Sequence, residues 1–178
     1  MQYFIGHIGD ASINAYYREI TADLASRFGI PDLAHRVPAH LTIKYPFASD
    51  DVSGLELRID DFLRDKKAFP LVVKGFDHFD DNTATIFLSV EPSRELSLFT
   101  EQCILHFGDL NERKKFDPTK FRAHFSVARH LTPELFHDVW NHISNLPTPV
   151  FHSTFSNLTL CVLENEVWKP KRMFEVSL

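Results

Sequence analysis

The sequence predicts an α+β protein: antiparallel sheets line a central cleft, helices lie outside, and the two lobes are related by a pseudo-twofold axis. Three observations predict it. First, strands and helices do not alternate strictly, and only 6 glycines are present, none of them in a phosphate-binding loop. Second, one pattern, small-His-apolar-hydroxyl-apolar, occurs twice, at Ala39-His40-Leu41-Thr42-Ile43 and Ala123-His124-Phe125-Ser126-Val127. Third, a helix and then a candidate hairpin follow each copy, which suggests a weak internal duplication. All 178 residues are expected to form a single domain of two interleaved lobes.

The elements follow in order. Residues 2–8 are a short apolar strand in which His7 is expected to be structural. A helix is predicted from about Ile13 to Phe28. Ile13, Tyr16, Tyr17, Ile20, Leu24 and Phe28 recur at three- and four-residue steps, with Ser12 as N-cap and Gly29 as stop. Val37 to Tyr45 is the first motif strand, with Pro38 at its entry and Pro46 ending it. Val52 to Leu63 reads as a helix. Phe69–Phe76 and Thr83–Val90 read as a hairpin around the turn-like cluster Asp77-His78-Phe79-Asp80-Asp81-Asn82. A third helix, capped by Ser93, runs from about Arg94 to Phe107. A charged loop, Asn111 to Lys120, leads into the second motif strand, Phe121 to Arg129. Thr132 caps a fourth helix with Pro133 at its first position. Strands are predicted at Val150–Phe155, Leu158–Leu163 and Val167–Val176. Pro170 makes the last an edge strand or an interrupted one.

Composition narrows the function. A formal net charge of −5 argues against an extended groove for long nucleic acid. A small phosphorylated ligand or an RNA end needs only a few local cations. The first residues show no basic leader with a long apolar run, and no apolar run approaches membrane-span length. The two cysteines, Cys103 and Cys161, have no metal or redox spacing and are expected to be buried free thiols. These features together predict a cytoplasmic protein without a membrane partner. The 17 phenylalanines serve either a core or a base-binding slot, and Phe47 and Phe79 are the candidates for stacking.

The chemistry rests on the repeated pattern. Side chains alternate faces along a strand, so His40 and Thr42 share one face while Leu41 and Ile43 point to the core. His124 and Ser126 relate in the same way to Phe125 and Val127. The tripeptide His-x-Ser/Thr alone is common here, recurring at His130, His142 and His152, and only the two copies with matching flanks are distinctive. Imidazole, with an unperturbed pKa of about 6.5, both accepts and donates protons near neutrality. Two imidazoles facing one ligand supply a general base and a general acid. Two hydroxyls supply donors to hold an anion. Lys44 shares the face of His40 if the strand is regular. Arg129 is out of phase with His124 and reaches the cleft only if the strand ends or bulges at Ala128. Metal-ligand spacings such as His-Glu-x-x-His or a Cys/His finger do not occur.

Val37-Pro38-Ala39-His40-Leu41-Thr42-Ile43-Lys44-Tyr45-Pro46-Phe47 and Phe121-Arg122-Ala123-His124-Phe125-Ser126-Val127-Ala128-Arg129 resemble the paired motifs of the 2H phosphoesterase superfamily, which includes the bacterial 2′-5′ RNA ligase-like proteins. The resemblance covers most of the chain. It implies a bilobal fold, a catalytic pair His40 and His124, and phosphate contacts from Thr42 and Ser126. It also implies a substrate contact from Arg129, with Lys44, Tyr45 and Phe47 as further substrate-binding candidates. The activity it implies is a metal- and cofactor-independent opening of 2′,3′-cyclic phosphates of nucleotides or RNA termini, with 2′-5′ ligation or cleavage as a variant, by a monomer. Binding of a nucleotide or RNA end without turnover is the alternative.

Overall fold

The computed structural model describes residues 1–79, 84–110 and 121–178. The charged loop expected at residues 111–120 and the tip of the predicted hairpin, residues 80–83, lie outside the described residues. The strands are β1 (Gln2–Ile8), β2 (His40–Ala48), β3 (Phe69–Phe79), β4 (Thr85–Val90), β5 (His124–Ala128), β6 (Val150–Phe155), β7 (Asn157–Glu164) and β8 (Val167–Glu175). The helices are α1 (Ala11–Phe28), α2 (Val52–Leu63), α3 (Arg94–His106) and α4 (Pro133–Ser144), with a 3₁₀ turn at Leu33–His35. The strands form two antiparallel four-stranded sheets, ordered β2-β1-β7-β8 and β5-β4-β3-β6. The two ends of the chain thus build one sheet and its middle builds the other. Each motif strand is an edge, and β2 and β5 approach one another without pairing. That leaves their polar faces open between the sheets.

The apolar faces of both sheets and the helix stripes share one core, including Ile5, Leu41, Ile43, Leu88, Phe125, Val127 and Phe155. Cys103 and Cys161 are buried free thiols, and burial raises Cys161 to a pKa of about 12. Among the described residues no helix is long and apolar enough to cross a membrane. The cap of α1 differs from expectation. Asp10, not Ser12, is the N-cap, because its carboxylate accepts from the backbone N–H of both Ser12 and Ile13. Its other oxygen accepts from the Ser153 hydroxyl at 2.6 Å, which ties the start of α1 to β6. Gly29 ends the helix in the left-handed region, with φ 65°, as a stop residue should.

Two strand ends also differ, at β2 and β3, while β8 is the edge strand that its proline requires. β2 does not stop at Pro46 but runs on to Ala48. It is an edge strand, and Pro46 falls within a register shift between the pairs Tyr3↔Phe47 and Ile5↔Lys44. An irregular edge tolerates a residue with no N–H to donate. β3 extends through the turn-like Asp77 to Phe79, because Asp77 pairs with Phe87 in the ladder and its carboxylate meets Arg122 of the neighbouring segment. β8 is an edge, and a register shift at Cys161↔Pro170 accommodates its proline. β7 and β8 are joined through Asn165 and Glu166, both at positive φ (49° and 64°), the backbone of a tight hairpin turn.

Candidate active site

The two motif histidines are held in the same way. His40 Nδ1–H donates to the Pro38 carbonyl at 2.9 Å, and His124 Nδ1–H donates to the Arg122 carbonyl at 2.7 Å. A carbonyl only accepts, so the Nδ1 of each neutral ring carries the proton. The Nε2 lone pair of each ring is therefore left for a ligand. Each bond runs from residue i to residue i−2, so the local backbone of the motif strand sets both tautomer and ring angle. Thr42 and Ser126 sit two residues on, paired with Gly6 and Phe87, and are half-buried. No side chain from Gly6 competes for the space beside Thr42. A Cβ there would lie 2.7 Å from the Leu41 carbonyl oxygen and 3.2 Å from the Phe4 ring.

Aromatic rings back both imidazoles. Phe4 lies 4.8 Å from His40, while Phe87 and Phe79 lie 4.8 and 5.0 Å from His124. This apolar packing penalises the charged imidazolium. Burial lowers His40 to a pKa of about 4, and the charges of Arg129 and His124 add to the fall while the Pro38 bond opposes it. Burial also lowers His124, helped by Arg122 and Arg129. Both rings are neutral at pH 7 in the free protein. Arg129 thus acts on both histidines at once, and among the described residues no carboxylate pairs with it. An exposed guanidinium near two neutral imidazoles favours an anion. Among the described residues no three His, Cys, Asp or Glu side chains cluster to hold a metal ion.

The approach of β2 to β5 brings His40, His124 and Arg129 within electrostatic reach of one another, and Thr42 and Ser126 lie one alternation further along the same two strands. Arg129 gets there because β5 ends at Ala128 and slips register between Ile86 and Phe87. Two other candidates are displaced. A register shift between Ile5 and Gly6 sets Lys44 opposite Ile5, whose side chain belongs to the core, so Lys44 leaves the face of His40 and Thr42. Lys44 is buried, and its charge is felt at Cys103 and Asp109 instead. Phe47 is 2% exposed and packs on Tyr3 at 6.3 Å in the core, so it presents no surface to a base. Tyr45 stands with Pro46 in the second irregularity, opposite Phe4, half-buried. Phe79 is drawn in as the neighbour of His124. His152 lies exposed on β6, at the far edge of its sheet from β5, and His142 bonds Asp23 at 2.8 Å between α4 and α1.

Sequence reading missed Arg122. It lies over Phe79 and Phe87 at 5.4 and 5.3 Å, pairs with Asp77, and offers its carbonyl to His124. Period-two alternation from His124 would have placed it on the cleft face. Phe4 was missed too, although it alternates with Gly6 and Ile8 on the open face of β1.

Two edge strands that present matched His-x-hydroxyl pairs across a bilobal α+β fold define a 2H-type phosphoesterase architecture. The family model of the 2′-5′ RNA ligase superfamily matches residues 11–166, and the chain belongs to that family. Provisionally named phosphoesterases of Geobacillus sp. (strain WCH70) and Geobacillus kaustophilus (strain HTA426) are 29% and 28% identical to it over 144 residues. Each alignment covers 79% of this chain and 80% of the relative. Among solved structures, E. coli LigT complexed with 3′-AMP superposes with a TM-score of 0.64 at 13% identity, covering 99% of this chain and 98% of that one. TT0787 of Thermus thermophilus gives a TM-score of 0.61 at 16% identity, with the same coverage. At these identities the structural likeness speaks for the fold.

Proposed function

We propose that this protein opens 2′,3′-cyclic phosphodiesters of nucleotides or RNA termini by general acid–base catalysis between His40 and His124, without a metal. The observation that carries the reading is the matched anchoring of the two rings, each held through Nδ1 so that Nε2 is left for a ligand, with the charge of Arg129 acting on both. E. coli LigT has been solved with 3′-AMP, NADP+ and ATP, which supports a nucleotide as the ligand class.

The chemistry needs one imidazole to remove a proton from water as its oxygen attacks phosphorus. The other imidazole delivers a proton to the departing ribose oxygen, so a cyclic diester and water become a phosphomonoester with one free hydroxyl. Thr42 and Ser126 donate to the non-bridging oxygens, where charge gathers in the transition state. Arg129 offsets the phosphate charge. Both rings are neutral in the free protein, so the acid must be created on binding. The anionic phosphate supplies this by favouring the imidazolium of whichever ring faces the leaving oxygen.

The test is turnover of 2′,3′-cyclic nucleotides in excess chelator. The rate is expected to be insensitive to chelator, to follow a bell in pH, and to collapse in both His40→Ala and His124→Ala. Activity that survives either substitution removes the pairing. The neutrality of both rings without ligand also suits a second reading, a nucleotide- or RNA-end-binding module that never forms the acid. Tight binding of cyclic and linear 2′-5′ and 3′-5′ substrates with no hydrolysis would select that reading.

A further inference from the structure

The open face of the first sheet carries a ring system that extends beyond the acid–base pair. Phe4 touches His40 on one side and Trp168 on the other, the second contact edge-to-face at 5.0 Å and 70°. The ladder explains why these rings share a face. Phe4 pairs with Cys161, and Trp168 pairs with Leu163, two residues further along β7. Phe4, Ile8, Val37 and Cys161 form a small apolar cluster, separate from the main core, against which Trp168 packs. Trp168 is only half-buried, and among the described residues no group accepts its indole N–H. A backbone bond from Trp168 N to the Arg36 carbonyl at 2.7 Å ties its strand to the segment that leads into the first motif, so its distance from His40 is fixed.

We infer that Trp168 is the base-recognition residue of this cleft: its indole holds the heteroaromatic base of the nucleotide whose phosphate lies between His40 and His124. The inference rests on the reading of the pair as a cyclic-phosphate site and deepens it by naming what selects the substrate. Three features favour a base over an aliphatic group. The indole offers a broad π surface with an unused donor at its rim, which suits a flat ring carrying acceptors. Phe4 holds the indole from one side, so little ordering is needed on binding. The platform is continuous with His40 through one ring, so a base on the indole and a phosphate at the imidazoles can belong to one nucleotide.

The experiment compares 2′,3′-cyclic AMP with glycerol 1,2-cyclic phosphate, which has the reacting ring but no base. In the natural protein kcat/KM should favour the nucleotide. Trp168→Leu is expected to reduce that preference roughly ten-fold or more, the scale of one lost base–aromatic stack, through KM rather than kcat. Trp168→Phe should restore most of it. An unchanged ratio in Trp168→Leu would overturn the assignment, since a purely structural role would lower both substrates together. A binding arm stands apart from catalysis. Titration with adenosine 2′-monophosphate should change the intrinsic fluorescence of the natural protein and not that of Trp168→Leu, while ribose 5-phosphate changes neither. A fluorescence response without hydrolysis of any cyclic phosphate would sink the enzymatic reading and leave the platform. Hydrolysis with an unaltered ratio would do the reverse.

Discussion

His7 offers a sharp test of the physics that shapes this fold. It is 1% exposed, stacks on Phe155 at 4.5 Å, and donates from Nδ1 to the Asn157 carbonyl at 3.2 Å. Its Nε2 has no partner among the described residues, so protonation would bury an unbonded N–H together with a charge. Burial accordingly lowers its pKa to about 4, against the weaker upward pull of the Asn157 bond and Asp10. The sign follows from proton counting. Between about pH 4 and pH 6.5 the unfolded chain binds this proton and the native protein does not, so stability rises with pH across that window. The contribution is complete above pH 6.5 and is lost as pH falls toward the native pKa. At pH 4.5 the loss from this one residue is on the order of 2–3 kcal/mol. His7→Phe keeps the stack and removes the titration. Urea unfolding at a series of pH values should show the natural protein and the variant converging near neutrality and separating by about 2 kcal/mol or more at pH 4.5, with the variant more stable. Parallel stability profiles would refute the argument that burial of an unpaired ring nitrogen sets this pKa.

Further predictions concern the site. Thr42→Val and Ser126→Ala should each lower kcat by about 10²–10³, the cost of one transition-state donor, with smaller changes in KM; a change confined to KM would make the hydroxyls binding groups only. Arg129→Gln removes a charge that holds both imidazoles down, so the acid limb of the kcat/KM profile should move to higher pH while KM rises; a lower rate with an unmoved limb would count against that role. Gly6→Ala places a methyl 2.7 Å from the Leu41 carbonyl and against Phe4, and should cost about 1–3 kcal/mol in stability and disturb His40 as well. Urea midpoints and kcat measured together check it, and a neutral outcome on both would show that the close approach is relaxed at no cost.

Much of the candidate site was legible because it obeys a local rule. Alternation in a strand puts His40 with Thr42, and His124 with Ser126, whatever the rest of the chain does. The helix stripes read equally well, since Ile13, Tyr17, Ile20 and Leu24 are buried as their spacing requires. Local cap chemistry misled only where two good caps compete. Ser12 looks suitable, but Asp10 sits where one carboxylate reaches two N–H groups and the Ser153 hydroxyl.

The failures share one cause. Lys44 was placed by assuming a regular strand, and Pro46 by assuming that proline ends one, yet both outcomes depend on how β2 is paired with β1. Phe47 was a stacking candidate because an aromatic near the motif reads the same whether it faces a base or the core, and pairing with Tyr3 decided for the core. The sequence by itself determined which face of each motif strand its histidine and hydroxyl occupy, because side-chain periodicity is a property of a single strand. Only the tertiary structure decided how the two faces meet, where the register slips that remove Lys44 and deliver Arg129 occur, and which rings lower the histidines' affinity for protons. Those are set by contacts between segments far apart in the chain, and no local pattern encodes them.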